Sequence, residues 1–296
     1  MALARALPKH RPPRRHVILL ALLAMAPDID IVLRLHSDLF YLQHHRGITH
    51  SLLMLPLWVL LLRALLRRGQ CSLPASWIAA ALALHILLDL ITSFGTMILA
   101  PWSDWRATLD LVFIIDPLFT ACLLLPLLAA FIVRRHARAL AICALLLAAG
   151  YLTATAMLHR QALRIARNMQ PQASQVYALP LPFSPFRWQL IADFPDHYRR
   201  FSLDLLPAFK GSAWLLPASF VHAFKDPDQS TWQRLAKLDA AHPAAKTRSM
   251  AFYRWFARFP FVLQHTQTTL ELADLRFVSR TGNHPPPFRL RLDVSG

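Results

Sequence analysis

Long apolar runs separated by short polar stretches fill the first half of the chain, and the pattern changes after about residue 158. Five segments approach the roughly 20 apolar residues that a membrane-crossing helix needs: Val17–Leu35, Ser51–Leu66, Trp77–Leu99, Pro117–Val133 and Ala139–Leu158. The first is interrupted by Pro27, Asp28 and Asp30, and the second is short and contains Pro56. Beyond them the runs are shorter. Arg160–Met169 reads as a continuation of the fifth helix, followed by turns at Pro180, Pro182 and Pro185. Strands are predicted near Phe186–Ile191, His197–Leu205, Phe261–Leu270, Leu275–Ser279 and Phe288–Val294. Helices are predicted at Thr231–Ala241, capped by Ser230 or Thr231, and at Met250–Arg258. The expected fold is an α-helical membrane protein of about five transmembrane helices with a small C-terminal α+β extramembrane domain. Residues 1–16 form a basic N-terminal arm, 17–160 the transmembrane domain and 161–296 the extramembrane domain.

Composition supports the membrane reading. The chain is 55% hydrophobic and only 16% charged, against about 25% charged in ordinary soluble domains. Its net charge of +16 sits in clusters at the ends of apolar segments: Arg14-Arg15, Arg67-Arg68, Arg134-Arg135 and Arg138. That is the positive-inside pattern rather than a nucleic-acid surface. It places these clusters in the cytoplasm, and the C-terminal domain and the loops Leu35–His50 and Ala100–Asp116 outside. Trp102 and Trp105 suit a membrane interface. A cleavable signal peptide is a rival reading of the first segment, through Ala24-Met25-Ala26, but Pro27 at the cut argues against it. Cys71, Cys122 and Cys143 form no CxxC pair and no disulfide framework.

Ionisable groups at membrane depth are costly and mark functional sites. Here they cluster. Asp28 and Asp30 lie in Pro27-Asp28-Ile29-Asp30; His45, Arg46, Thr49 and His50 lie in one short loop around Gly47; His85 and Asp89 form His-x-x-x-Asp. The last pair stacks on one helix face. Asp28 and Asp30 do not share a helix face, but Pro27 breaks the hydrogen-bond ladder and would let both turn to one point. Gly47 would permit the turn that brings His45 and His50 inward. Three carboxylates and three imidazoles without a thiolate suit Zn²⁺, Mn²⁺ or Fe²⁺. The expected metal ligands are therefore Asp28, Asp30, His45, His50, His85 and Asp89. Arg46 could clamp an anionic substrate, and Thr49 and Ser51 could support ligands from a second layer. Asp116, before Pro117, reads as a helix N-cap and is carried with Arg46 and Thr49 as a candidate catalytic residue.

These strings resemble the YdjM-like family of bacterial inner-membrane proteins, described as metal-dependent hydrolases. The resemblance rests on Pro27-Asp28-Ile29-Asp30, on His45-Arg46-Gly47-Ile48-Thr49-His50-Ser51, and on His85-x-x-x-Asp89 with the following Leu90–Thr96. Ile115-Asp116-Pro117-Leu118-Phe119 and Asp274-Leu275-Arg276-Phe277 are also similar. An Asp-x-x-Thr-His element that often precedes the first span in the family is absent here. The expected function is a membrane-bound, metal-dependent hydrolase of the inner membrane. Its substrate would be a membrane lipid or a lipid-linked phosphate or ester, met at the outer leaflet, and nucleic acid is not an expected partner. The alternative is a transporter or a metal or proton carrier using the same Asp/His cluster.

Overall fold

The computed structural model describes residues 14–69, 73–205, 232–278 and 285–294. They form two units, Met1–Thr155 and Ala156–Gly296.

The first unit is helical. Helix α1 (Arg14–Ala24) leads into a 3-10 segment (Ala26–Leu35) with Pro27 in its first turn. Proline there lacks the donor that would continue α1, and the axis bends by 49°. Helix α2 (Asp38–His44) is capped by Ser37, whose hydroxyl accepts from the Phe40 amide. A 3-10 turn (Ile48–His50) and an 82° bend lead into α3 (Leu55–Arg68). Helix α4 (Ala75–Leu90) packs on α1 and α3 around Leu20, Leu23, Val59, Ile78 and Leu82. After a loop in which Thr96 pairs with Ala107, α5 (Pro117–Ile132) begins under an Asp116 cap, and α6 runs over Ala137–Met169.

Among the described residues, five spanning helices are not found. Among the described residues only the α6 region, Arg134–Met169, is long and apolar enough to cross a membrane, and the number reaches three only if each bent pair counts as one span. Helices α4 and α5 have 16 residues each, about 24 Å against a hydrocarbon core of about 30 Å. The apolar run Trp77–Leu99 was expected to be one helix, but helix ends at Leu90. Its second half is the irregular stretch around Gly95, where φ is +99°. Hydropathy does not register that break. The outer faces are nonetheless strongly apolar, with Leu35, Leu60, Phe131 and Ile132 exposed.

The second unit is layered. The tail of α6 packs through Ala162 and Ala166 on a four-stranded antiparallel sheet, β1 (Gln175–Pro180), β2 (Arg187–Asp193), β3 (His197–Asp204) and β4 (Gln233–Ala236), in that order. Alternate residues of β2 serve its two faces. Trp188, Leu190 and Ala192 meet the helix, and Ile191 meets Phe259, Phe261, Ala273 and Leu275 beside the second sheet. That sheet is β5 (Pro260–His265), β6 (Thr269–Asp274) and β7 (Leu290–Asp293), covered by α7 (Arg248–Phe256) through Met250 and Tyr253. Gln189 Nε2 donates to the Leu275 carbonyl at 2.9 Å.

Several expectations in this unit need correction. Gln233–Ala236 is a strand pairing with β3, not a helix, and Ser230 and Thr231 lie outside the described residues. Phe261–Leu270 is split by a turn between β5 and β6, where Thr266 and Thr269 exchange hydrogen bonds. Leu275–Phe277 is a 3-10 turn rather than a strand, because Asp274 caps it by accepting from the Arg276 amide. Of the basic arm expected over residues 1–16, residues 1–13 lie outside the described residues, as does Cys71, and Arg14–His16 form the start of α1.

Candidate metal centre

Three pieces of the first unit meet at one place: the 3-10 segment after Pro27, the loop 45–50, and the end of α4. From them Asp28, His50, His85 and Asp89 each present a donor atom, and all four atoms lie within 4.8 Å of one another. His50 Nε2 is 3.5 Å from Asp28 Oδ1, 3.1 Å from Asp89 Oδ2 and 3.2 Å from His85 Nε2. His85 Nε2 is 3.5 Å from both Asp28 Oδ1 and Asp89 Oδ2. Four donors set about 2.0–2.2 Å from a central ion in a tetrahedron stand about 3.3–3.6 Å apart, so these five separations lie close to those around a shared cation.

The chemistry of the donors agrees. Asp89 Oδ2 is buried and receives no hydrogen bond. A buried carboxylate oxygen without a donor is costly unless a cation faces it. His50 is fully buried, and its tautomer follows from its neighbours. Thr49 Oγ1 donates to Asp30 Oδ2 at 3.1 Å and lies 2.9 Å from His50 Nδ1. A hydroxyl has one proton, and Asp30 takes it, so Thr49 accepts from His50 Nδ1–H. That leaves His50 Nε2 with a bare lone pair aimed at the other three donors. The residues present therefore fit a divalent cation.

The remaining sequence candidates hold this group rather than join it. In the 3-10 segment, positions two apart point in different directions, so Asp28 and Asp30 part company. Asp30 is buried. Its carboxylate accepts from His45 Nδ1 at 2.9 Å, from the Arg46 amide at 3.0 Å and from Thr49. His45 thus pairs with Asp30 and stacks on Tyr41, with centroids 4.5 Å apart. The expectation that Asp30 and His45 belong with the other ligands is not what the geometry gives.

Arg46 is not an open clamp. Its Nη2 lies 2.9 Å from Asp89 Oδ1 and its Nη1 donates to Thr92 Oγ1 at 3.1 Å, over the Phe94 ring. It therefore fixes which Asp89 oxygen faces the group. Arg46 also carries the left-handed backbone of the loop, at φ 57°, a role expected of Gly47. Glycine is needed at 47 for another reason, since a Cβ there would stand 2.6 Å from the His44 carbonyl oxygen. Ser51 Oγ bonds the Ile98 and Ala100 carbonyls. Asp116 is the N-cap it was expected to be. Its Oδ1 accepts from the Leu118 and Phe119 amides, and its Oδ2 accepts from Tyr151. It is not one of the four converging residues.

One further support has a role that its sequence context does not announce. Arg106 donates to the carbonyls of Leu42, His45 and Gly95, tying the 96–107 loop to the His loop. In the sequence it stands two residues from Asp104 and reads as one half of an interfacial ion pair, which gives no sign of this role.

No solved structure matches the chain. A protein of Bacillus subtilis (strain 168) named "Uncharacterized protein YfhP" is 34% identical over 112 residues, which is 36% of this chain and 34% of that protein. The chain thus spans about a third of that curated relative's length. The family model for the YdjM inner membrane protein matches residues 1–162, the part that carries α1 to α5, most of α6 and every residue of the site, and the chain accordingly belongs to the YdjM inner membrane protein family.

Proposed function

We propose that the protein is a membrane-bound hydrolase that uses a divalent cation held by Asp28, His50, His85 and Asp89 to act on an amphiphilic or membrane-associated substrate. The convergence of four donor atoms, one of them a buried carboxylate oxygen that accepts no hydrogen bond, carries the reading. A two-nitrogen, two-oxygen set suits Zn²⁺, Mn²⁺ or Fe²⁺, and the compact spacing favours Zn²⁺. Such a cation supplies hydroxide from water near neutral pH and polarises a phosphoryl or carbonyl oxygen. The chain's own residues set the stage for this. Thr49 and Asp30 keep the lone pair of His50 pointed inward, and Arg46 holds Asp89 by one oxygen so that the other is free. The Asp28 side chain is half exposed, whereas those of His50, His85 and Asp89 are 0%, 17% and 13% exposed. Reactants therefore reach the group on the side of Asp28.

The Arg134, Arg135 and Arg138 cluster precedes α6. Together with Arg67 and Arg68, this cluster favours a cytoplasmic start for α6 and a second unit outside, against Arg160, Arg164 and Arg167 near the helix's other end.

The test uses full-length protein in detergent. Elemental analysis and hydrolysis of p-nitrophenyl phosphate and p-nitrophenyl butyrate are compared for the unsubstituted chain, His50→Ala and Asp89→Ala. Loss of bound metal and of hydrolysis in both variants, with membrane insertion unchanged, supports the reading. Full activity in both would remove it. Metal uptake into proteoliposomes without hydrolysis would assign the same residues to a carrier.

A further inference from the structure

A cleft of about 540 Å³ opens beside the four-residue group. Part of its lining is polar, from Asp28, Tyr41 and His45. The rest is apolar, with Leu22, Met25, Ile29 and Ile31 contributed by the stretch from α1 into the 3-10 segment. Asp28 belongs both to this cleft and to the converging group, and it is the most exposed of the four. The route to the group is thus bounded in part by hydrocarbon. A water-soluble substrate would leave that part in unfavourable contact with polar surface. An alkyl chain would bury it, with roughly fourfold tighter binding for each added methylene. The volume is that of a small-molecule site, within the range of about 300–1,000 Å³.

We propose that this cleft binds the hydrocarbon chain of a membrane lipid, laying its polar linkage at Asp28. The Leu22, Met25, Ile29 and Ile31 wall selects for chain, and His45 and Tyr41 face the headgroup. His45 is well suited to this. Its Nδ1–H is committed to Asp30, so the ring is held in one orientation and cannot swing away from the cleft. The inference rests on the hydrolase reading for what happens at Asp28, but binding of the chain does not depend on it.

The experiment keeps the two apart. Full-length protein in detergent is irradiated with phosphatidylglycerol carrying a diazirine in one acyl chain, and the label is mapped by mass spectrometry. The comparison is with Met25→Trp/Ile29→Trp, which narrows the cleft at two exposed positions, and with Leu60→Trp/Leu61→Trp on a different exposed apolar face. Labelling of residues 16–34 is expected to fall at least fivefold in the first pair alone, and to persist in His50→Ala, which removes a donor of the metal group. Equal labelling in all variants, or an equal fall in both double variants, would overturn the cleft as a chain site. Absence of hydrolysis with the labelling pattern intact would overturn the hydrolase reading and leave the cleft standing. In an active preparation, the Met25→Trp/Ile29→Trp variant should lose at least tenfold of kcat/KM on p-nitrophenyl decanoate relative to p-nitrophenyl acetate. An unchanged ratio would count against chain selection.

Discussion

Thr49→Val tests the architecture behind the metal reading most directly. Valine keeps the shape of threonine and removes the hydroxyl that accepts from His50 Nδ1–H and donates to Asp30. His50 is fully buried, so no water replaces the lost acceptor. A buried donor left unsatisfied costs about 1–3 kcal/mol, or about 5- to 140-fold in an equilibrium constant. Without the cation the variant escapes this cost by moving the proton to Nε2, where Asp28 and Asp89 accept it. Binding the cation then requires the proton to move back, so the cost appears in metal affinity. Loss of an outer partner of a ligating histidine typically weakens binding about 10- to 100-fold, which agrees. We expect a fall of that size for Thr49→Val, read by competition for Zn²⁺ against a chromophoric chelator with full-length protein in detergent. Thr49→Ser, which keeps the hydroxyl, should stay within about threefold. An affinity for Thr49→Val within about twofold of the unsubstituted chain would refute the argument that Thr49 sets the His50 tautomer.

Other outcomes follow from the same coordinates. Asp116→Ala should leave metal content unchanged, because its carboxylate caps α5 and accepts from Tyr151; the expected loss is about 0.5–2 kcal/mol of stability from the cap, seen as a lower melting temperature. Asp274→Ala strips the fully buried carboxylate from Arg276, whose side chain is 3% exposed, and should cost about 3–5 kcal/mol, measured by near-ultraviolet circular dichroism during heating. Gly95→Ala should destabilise by about 1–3 kcal/mol, since φ there is +99° and a Cβ would stand 2.9 Å from Arg106 Cβ; amide exchange around residues 42–47 should speed up as Arg106 loses its carbonyl partners.

The site was more legible in the sequence than the fold around it. Ionisable residues in apolar surroundings stand out whatever the backbone does, so Asp28, His50, His85 and Asp89 could be picked by type and place. Their division of labour could not. Whether Asp30 and His45 join the ligands or brace them depends on which way a 3-10 segment and a left-handed arginine turn those side chains, and composition is silent on both. The same limit applies to the helices. Hydropathy reads Trp77–Leu99 as one run, but the chain leaves the helix at Leu90 to build the loop that Arg106 secures. In the second unit, β2 and β3 showed their β character locally. Strand β4 is four residues long and is a strand because β3 offers it an edge, which no local pattern records.

The tail of α6 carries a practical lesson about where this polypeptide can be divided. The first sheet is closed on one face by Ala162 and Ala166, with Leu158 and Leu163 beside them, and His159 lies against the Trp188 ring. A fragment starting in the turn after Met169, the obvious boundary for soluble expression, would begin life with Trp188 and Leu190 bare and would be prone to clump. A cut inside the helix, upstream of Leu158, keeps that lid attached.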